Sequence, residues 1–275
     1  MYKGFLFFDI DGTLEDSYRG KGITETTLEA LQKAKENGYA CLISSGRSLG
    51  GLRNYIDLMD GFVFSDGGGI MIKGEEPILT PIRRELLDEL KEMVLHQLDG
   101  GMLMATLYKA FADPHEYRGM GEIASRYPDQ DLEKVLQNFG VYHLEEYNGE
   151  EVLEIDVSFP SEEVEQEFIR RKNPQLDYVS TSASYGRAGR TSGEVTMRGI
   201  TKGTGAIRLV ERLGGTMENT YAFGDSMNDA SVLQACRYGV AMGNSCEELK
   251  ALADYVAEDI ADEGLAKAME HFGII

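Results

Sequence analysis

The chain has 275 residues, 42% of them hydrophobic, and 27 Lys and Arg against 47 Asp and Glu give a formal charge of −20. That apolar share can bury a substantial core, which argues against a disordered chain, and the length suits one large domain or two modest ones. No Lys/Arg-rich run is present to release counterions, which argues against a nucleic-acid partner and against an anionic membrane surface. A small anionic ligand then needs a locally positive site made by a metal, a lysine or a helix N-terminus. Cys41, Cys236 and Cys246 include no C-x-x-C, so neither a disulfide framework nor a zinc cage is expected. The apolar run before Asp9 is too short for a signal peptide and no run approaches a membrane span, so a cytoplasmic protein is expected. The oligomeric state is left open.

In chain order, Phe5-Leu6-Phe7-Phe8 reads as a strand buried on both faces and stops at Asp9. Thr24 is an expected N-cap for a helix carrying Leu28 and Leu31, with Asn37-Gly38 as its stop. Ala40-Cys41-Leu42-Ile43 is the next strand and ends at Ser44-Ser45-Gly46-Arg47. A helix with Leu49, Leu52, Tyr55 and Ile56 and a strand at Phe62-Val63-Phe64 follow. This alternation predicts an α/β fold with a Rossmann-like parallel-sheet core, residues 1–81 forming its first part. From 82 to 196 the rhythm changes to a long helix (Leu86, Leu87, Leu90, Met93, Val94) and half-polar strands such as Leu153–Val157. That stretch is expected to be an inserted α+β cap domain, with Glu162, Glu163, Glu165 and Glu167 as a wet helix face. Residues 197–275 return to the core rhythm, with a helix after Lys202, strands at Tyr221–Phe223 and Gly239–Met242, and a closing helix at Leu265–Phe272.

Asp9 and Asp11, Ser45, and Asp225 with Asn228 and Asp229 each lie just past a buried strand, while Lys202 sits at a helix start. Ligands of open α/β sheets bind outside the carboxyl ends of the strands, where such residues can meet. Two carboxylates ~4 Å apart repel by roughly 4 kcal/mol at an effective dielectric near 20, so clustering them requires a cation or protons. Only oxygen ligands are offered, which selects Mg²⁺ over zinc or copper. An Asp at a strand end can attack phosphorus. A carboxylate two residues on can protonate the leaving alcohol and later deprotonate water. A hydroxyl and a lysine can hold the non-bridging phosphoryl oxygens.

Asp9-Ile10-Asp11-Gly12-Thr13-Leu14 resembles the first motif of the haloacid dehalogenase-like phosphatases. Ser45-Gly46-Arg47 resembles their second, Lys202 the third, and Gly224-Asp225-Ser226-Met227-Asn228-Asp229 the fourth. Val240–Asn244 and Glu263–Ala268 look like the Cof-type subgroup, with a large cap of the IIB type. The resemblance implies Asp9 as nucleophile and metal ligand, and Asp11 as general acid/base that lends its carbonyl to the metal. It implies Asp225 as direct Mg²⁺ ligand, Asp229 as support of the metal, and Ser45 and Lys202 as phosphoryl binders. Gly46, Arg47 and Asn228 fall to substrate binding. The implied reaction is hydrolysis of a small phosphorylated metabolite, a sugar phosphate foremost, through an aspartyl-phosphate. A phosphotransferase or mutase on the same core, a signalling receiver phosphorylated on aspartate, and a non-catalytic phosphate-ligand binding protein are the alternatives. This chain departs from the pattern at Ser45, where Thr is common, and at Ser65-Asp66-Gly67-Gly68-Gly69, where Asn-Gly-Ala is common, so an anion replaces an amide near the expected substrate entrance.

Arg187 and Arg190 lie on a glycine-flexed stretch of the cap and are candidates to grip an anionic substrate or to form a solvated loop. Arg47 divides between substrate contact and structural ion pair. Asn244 after Gly243 reads as a turn residue, and His96, His115, His143 and His271 as surface or structural groups. No P-loop, G-x-S-x-G elbow or H-E-x-x-H helix is present.

Overall fold

A computed structural model describes residues 2–119, 132–138, 140–182 and 190–275. Strand β1 (Gly4–Phe8) is buried along its whole length, as a continuous apolar run in a parallel sheet must be. Helix α1 (Glu25–Glu36) opens on Thr24, whose Oγ1 accepts from the Thr27 N–H at 3.2 Å, and closes before Gly38 at φ 90°. Strands β2 (Tyr39–Ser44) and β3 (Gly61–Phe64) follow, both buried. The segment between them, expected as an α-helix, is a run of 3₁₀ turns over Leu49–Tyr55. Two adjacent glycines, Gly50 and Gly51, weaken an α-helix there, and a side chain at Gly50 would meet the Tyr108 carbonyl. After β3 the chain reverses into β4 (Gly69–Ile72), a short strand outside the predicted elements, and continues to β5 (Ile78–Leu79).

Helix α2 (Arg84–Lys91) runs on as a π-helical turn to Gln97. Then come β6 (Gly101–Thr106), β7 (Ala110–Ala112), α3 (Pro114–Gly119), α4 (Leu132–Asn138) and β8 (Val141–His143). Strand β9 (Val152–Phe159), α5 (Glu162–Arg171), β10 (Leu176–Ser180) and β11 (Thr191–Met197) complete this stretch. The chain closes with α6 (Lys202–Arg212), β12 (Thr220–Gly224), α7 (Ala230–Ala235), β13 (Tyr238–Ala241), α8 (Glu247–Lys250), β14 (Tyr255–Val256) and α9 (Gly264–His271).

The strands form two sheets. One has the order β14-β13-β12-β1-β2-β3-β4-β5, with every pair from β14 to β3 parallel and β3–β4 antiparallel. The other, β10-β11-β9-β6-β7-β8, is antiparallel except for its β7–β8 pair. The fold is thus α/β, a Rossmann-like core with an inserted α+β cap domain. Two compact units result: Met1–Gly46 with Tyr55–Ile78 and Thr201–Ile275, and Arg47–Asn54 with Leu79–Ile200. The junctions fall at 78/79 and 200/201, against the 81/82 and 196/197 read from the hydrophobic rhythm. Thr201 caps α6 and so belongs with the core helix it starts. Arg47–Asn54 joins the second unit, where the Gly50 N–H donates to the Leu107 carbonyl at 3.3 Å.

In the core unit Phe5, Phe7, Leu42 and Val63 of the strands pack with Leu209, Val210, Val232 and Leu233 of α6 and α7. That places the starts of both helices beside the carboxyl ends of β1 and β12. In the inserted unit Leu86, Leu90, Val94 and Phe168 pack on Met102, Met104, Ile155, Val157 and Phe159. The expected wet face of α5 needs one correction. Glu162 and Glu163 are exposed, but Glu165 is buried and accepts a hydrogen bond from the Tyr178 hydroxyl at 2.6 Å. Its position in the helical period turns it inward, where the phenol supplies the donor it needs.

Candidate active site

Asp9 is the first residue past β1. Its N–H donates to the Phe223 carbonyl of β12 at 3.0 Å, so the parallel pairing itself fixes where the carboxylate starts. The next turn is tight, with the Ile10 carbonyl accepting from the N–H groups of Thr13, Leu14 and Glu15 at 3.2, 3.0 and 2.9 Å. Gly12 holds φ +87°, and a Cβ on it would lie 2.3 Å from Asp225 Oδ2. Only glycine lets this loop approach the fourth-motif carboxylate so closely.

Lys202 opens α6 behind the cap formed by Thr201 and Thr204. Its ammonium is buried and donates to Asp9 Oδ1 at 2.9 Å and to Asp229 Oδ1 at 2.7 Å. An unpaired buried ammonium is costly, and two carboxylates at hydrogen-bond distance offset that cost. Asp229 spends its other oxygen on the backbone, Oδ2 accepting from the N–H groups of Asp225 and Ser226 at 3.0 and 3.2 Å. Asn228 Oδ1 accepts from the Ser226 hydroxyl at 2.6 Å. Ser45 is buried at the end of β2, its N–H on the Val63 carbonyl at 3.0 Å.

Burial, aided by the charges of Asp229 and Asp11 and opposed by Lys202, pushes the Asp9 carboxyl up to about 8. Burial and the neighbouring Asp9 and Asp229 hold Asp225 well above the usual carboxylate range. Such a cluster demands a counter-charge. The carboxylate oxygens of Asp9, Asp225 and Asp229 lie within 4.8 Å of one another, and buried Asp225 Oδ1 accepts no hydrogen bond from any described residue. An all-oxygen set with an open lone pair fits a hard divalent cation such as Mg²⁺.

The core unit therefore brings together Asp9, Asp11, Lys202, Asp225 and Asp229, while Ser45 and Gly46 follow β2 and Asn228 follows β12. Arg47 is grouped with the second unit. Arg187 lies outside the described residues. Arg190 Nη2 donates to the carbonyls of Asp99 and Ser158 at 3.4 and 3.3 Å, a role in holding the inserted unit together.

The family model of the haloacid dehalogenase-like hydrolases matches residues 6–269. The chain belongs to the haloacid dehalogenase-like hydrolases. Among its relatives, the putative phosphatase YkrA of Bacillus subtilis is 28% identical over 277 residues, 98% of each chain. The 5-amino-6-(5-phospho-D-ribitylamino)uracil phosphatase YcsE of the same organism is 27% identical, over 97% of this chain and 94% of that one. The solved structure of the HAD subclass IIB sugar phosphatase BT4131 matches with a TM-score of 0.79 at 29% identity, covering 99% of this chain and 100% of that one. This haloacid dehalogenase-like hydrolase is accordingly a phosphatase.

Two site residues escaped the sequence reading. Asn244, read as a turn residue, donates Nδ2–H to the Gly12 carbonyl at 2.9 Å and accepts from the Ile260 N–H at 3.1 Å. It ties the loop after Asp9 to the C-terminal segment, a contact across 232 residues of sequence that no local pattern carries. Asp66 was visible as a departure from the family pattern, but not as a neighbour of Lys202, whose Nζ lies 3.9 Å from its Oδ1.

Proposed function

We propose that this phosphatase hydrolyses a small phosphorylated metabolite, a sugar phosphate foremost, by way of a phosphoaspartate on Asp9 and with Mg²⁺ as cofactor. The observation that carries the reading is the buried Lys202 ammonium bridging Asp9 and Asp229, beside an Asp225 oxygen left open. Asp9, Asp225 and the Asp11 carbonyl would hold the ion, with Asp229 behind them. When bound, the ion offsets carboxylate charge and keeps Asp9 ionised at neutral pH.

An Asp9 oxygen attacks phosphorus as the bond to the leaving alcohol breaks, and Asp11 gives that alcohol its proton. Lys202, the Ser45 hydroxyl and the backbone at Gly46 hold the transferring oxygens as charge gathers on them. Asp11, now a carboxylate, takes a proton from water. The resulting attack at phosphorus frees phosphate and restores Asp9. YcsE acts on a phosphorylated ribityl compound and BT4131 on sugar phosphates, which supports a polyhydroxylated substrate here.

The test is hydrolysis of an aryl phosphate with Mg²⁺, with EDTA, and by Asp9→Asn. The expected outcome is turnover only with the metal and a loss of about 10⁴-fold or more in the variant. Turnover that ignores EDTA, or an undiminished variant, would refute the mechanism.

A further inference from the structure

Asp66 carries two costs at one position. Its side chain is 7% exposed, yet neither carboxylate oxygen accepts a hydrogen bond from any described residue. It also sits in the left-handed region at φ 47°, directly after Ser65 at φ 46°, a conformation that most non-glycine residues avoid. Paired strain and unmet polarity of this kind collect where a ligand completes the site. The loop is held rigidly, because Gly67 presses so closely on α6 that a Cβ there would lie 2.2 Å from the Thr201 carbonyl.

The carboxylate is aimed into the site. Its Oδ1 would be 3.4 Å from a Cβ built on Gly46, and it faces the Lys202 ammonium from beyond hydrogen-bond reach. That ammonium already donates to Asp9 and Asp229. Asparagine tolerates the left-handed region as well and would bring no charge. What aspartate adds is an acceptor-only group. Phosphoryl oxygens are acceptors too, so they cannot satisfy it. A donor on the organic part of the substrate can, within a few bonds of the ester oxygen, since Asp66 stands beside the backbone assigned to the phosphoryl group.

We propose that Asp66 is a specificity residue that accepts a hydrogen bond from a hydroxyl or ammonium group next to the phosphate ester of the leaving group. The proposal rests on the phosphatase reading above. Charge-assisted hydrogen bonds of this kind are worth about 10–100-fold in discrimination.

Glycerol 3-phosphate, phosphoethanolamine and n-propyl phosphate separate hydroxyl, ammonium and neither. With Mg²⁺, wild-type kcat/KM on one of the first two should exceed that on propyl phosphate by at least about 10-fold, and which one wins tells hydroxyl from ammonium. In Asp66→Asn the ratio should collapse to below about 3-fold. Asp66→Gly, which relieves the left-handed backbone, should do the same, so a folding defect in one variant leaves the other to decide. A ratio that survives in a folded variant, or proportional losses on all three substrates with a shifted Mg²⁺ requirement, would overturn the role and make Asp66 a support of Lys202 or of the cation. A wild type inert on every monoester would instead defeat the phosphatase reading, and this inference with it.

Discussion

The two units differ in how they satisfy several of their buried acids. In the inserted unit three buried acids find donors within the unit: Glu165 takes the Tyr178 hydroxyl, Glu116 the Ser158 hydroxyl, and Asp113 the N–H groups of Met102 and His115. In the core, Lys202 and Asp229 are satisfied in the same way, but Asp225 Oδ1 and both oxygens of Asp66 are left open at the strand ends. A closed polar network adds rigidity and specifies one packing. An open one carries a desolvation cost that folding alone leaves uncompensated.

The sharpest way to break this comparison is to take away the ammonium that joins its satisfied and open members. Lys202→Met should lower kcat by about 10²–10³-fold, the usual cost of losing one preorganised donor to the transferring group. The same substitution leaves Asp9 and Asp229 buried without their counter-charge, so the metal-free protein should also melt earlier. Steady-state kinetics and a melting curve read both. Normal kcat in a merely destabilised variant would make Lys202 a structural residue.

Proton linkage sharpens the contrast next. The Asp9 carboxyl stands near 8 in the folded chain, whereas an unfolded aspartate titrates near ~3.9. A folded pKa raised in this way means the native state binds the extra proton between those values. The stability this group contributes is complete below about pH 4 and is lost as pH rises through 8. In EDTA, the wild-type Tm should therefore fall from pH 5 to pH 8 by at least about 5 °C more than that of Asp9→Asn. Added Mg²⁺ should raise the wild-type Tm more at pH 8 than at pH 5, because protons compete for the same oxygens. Calorimetry at the two pH values decides, and parallel slopes for the two proteins would contradict the linkage.

The smallest effect is expected in the inserted unit. Tyr178→Phe removes the donor to buried Glu165 and should cost about 1–2 kcal/mol, a few degrees in Tm, with kcat on an aryl phosphate unchanged. A marked fall in kcat would show that the closed networks also serve the reaction.

Much of the core was legible because each chemical residue follows a buried strand or starts a helix. Phe5–Phe8 is apolar on both faces, which demands a parallel neighbour on each side, and Asp9 then emerges at the carboxyl edge. The Thr24 cap and the Gly38 stop were equally local. The 3₁₀ run at Leu49–Tyr55 was not, since its apolar spacing suits a helix and only the glycines argue otherwise. Strand β4 was missed because it is short and antiparallel, made by a reversal at Ser65–Gly68 rather than by an alternating pattern.

The amino-acid order by itself set the family, the α/β class, and which carboxylates and lysine end up at strand and helix termini, for these depend on neighbours within a few residues. No membrane-spanning helix exists among the described residues. Tertiary structure alone decided which of those charges are satisfied. Lys202 meets Asp9 across 193 residues of sequence, Asn244 holds Gly12 across 232, and Asp66 is buried with its oxygens unspent. Hydrogen bonding and desolvation are properties of what surrounds a group in space, and only the assembled sheet brings those surroundings into being.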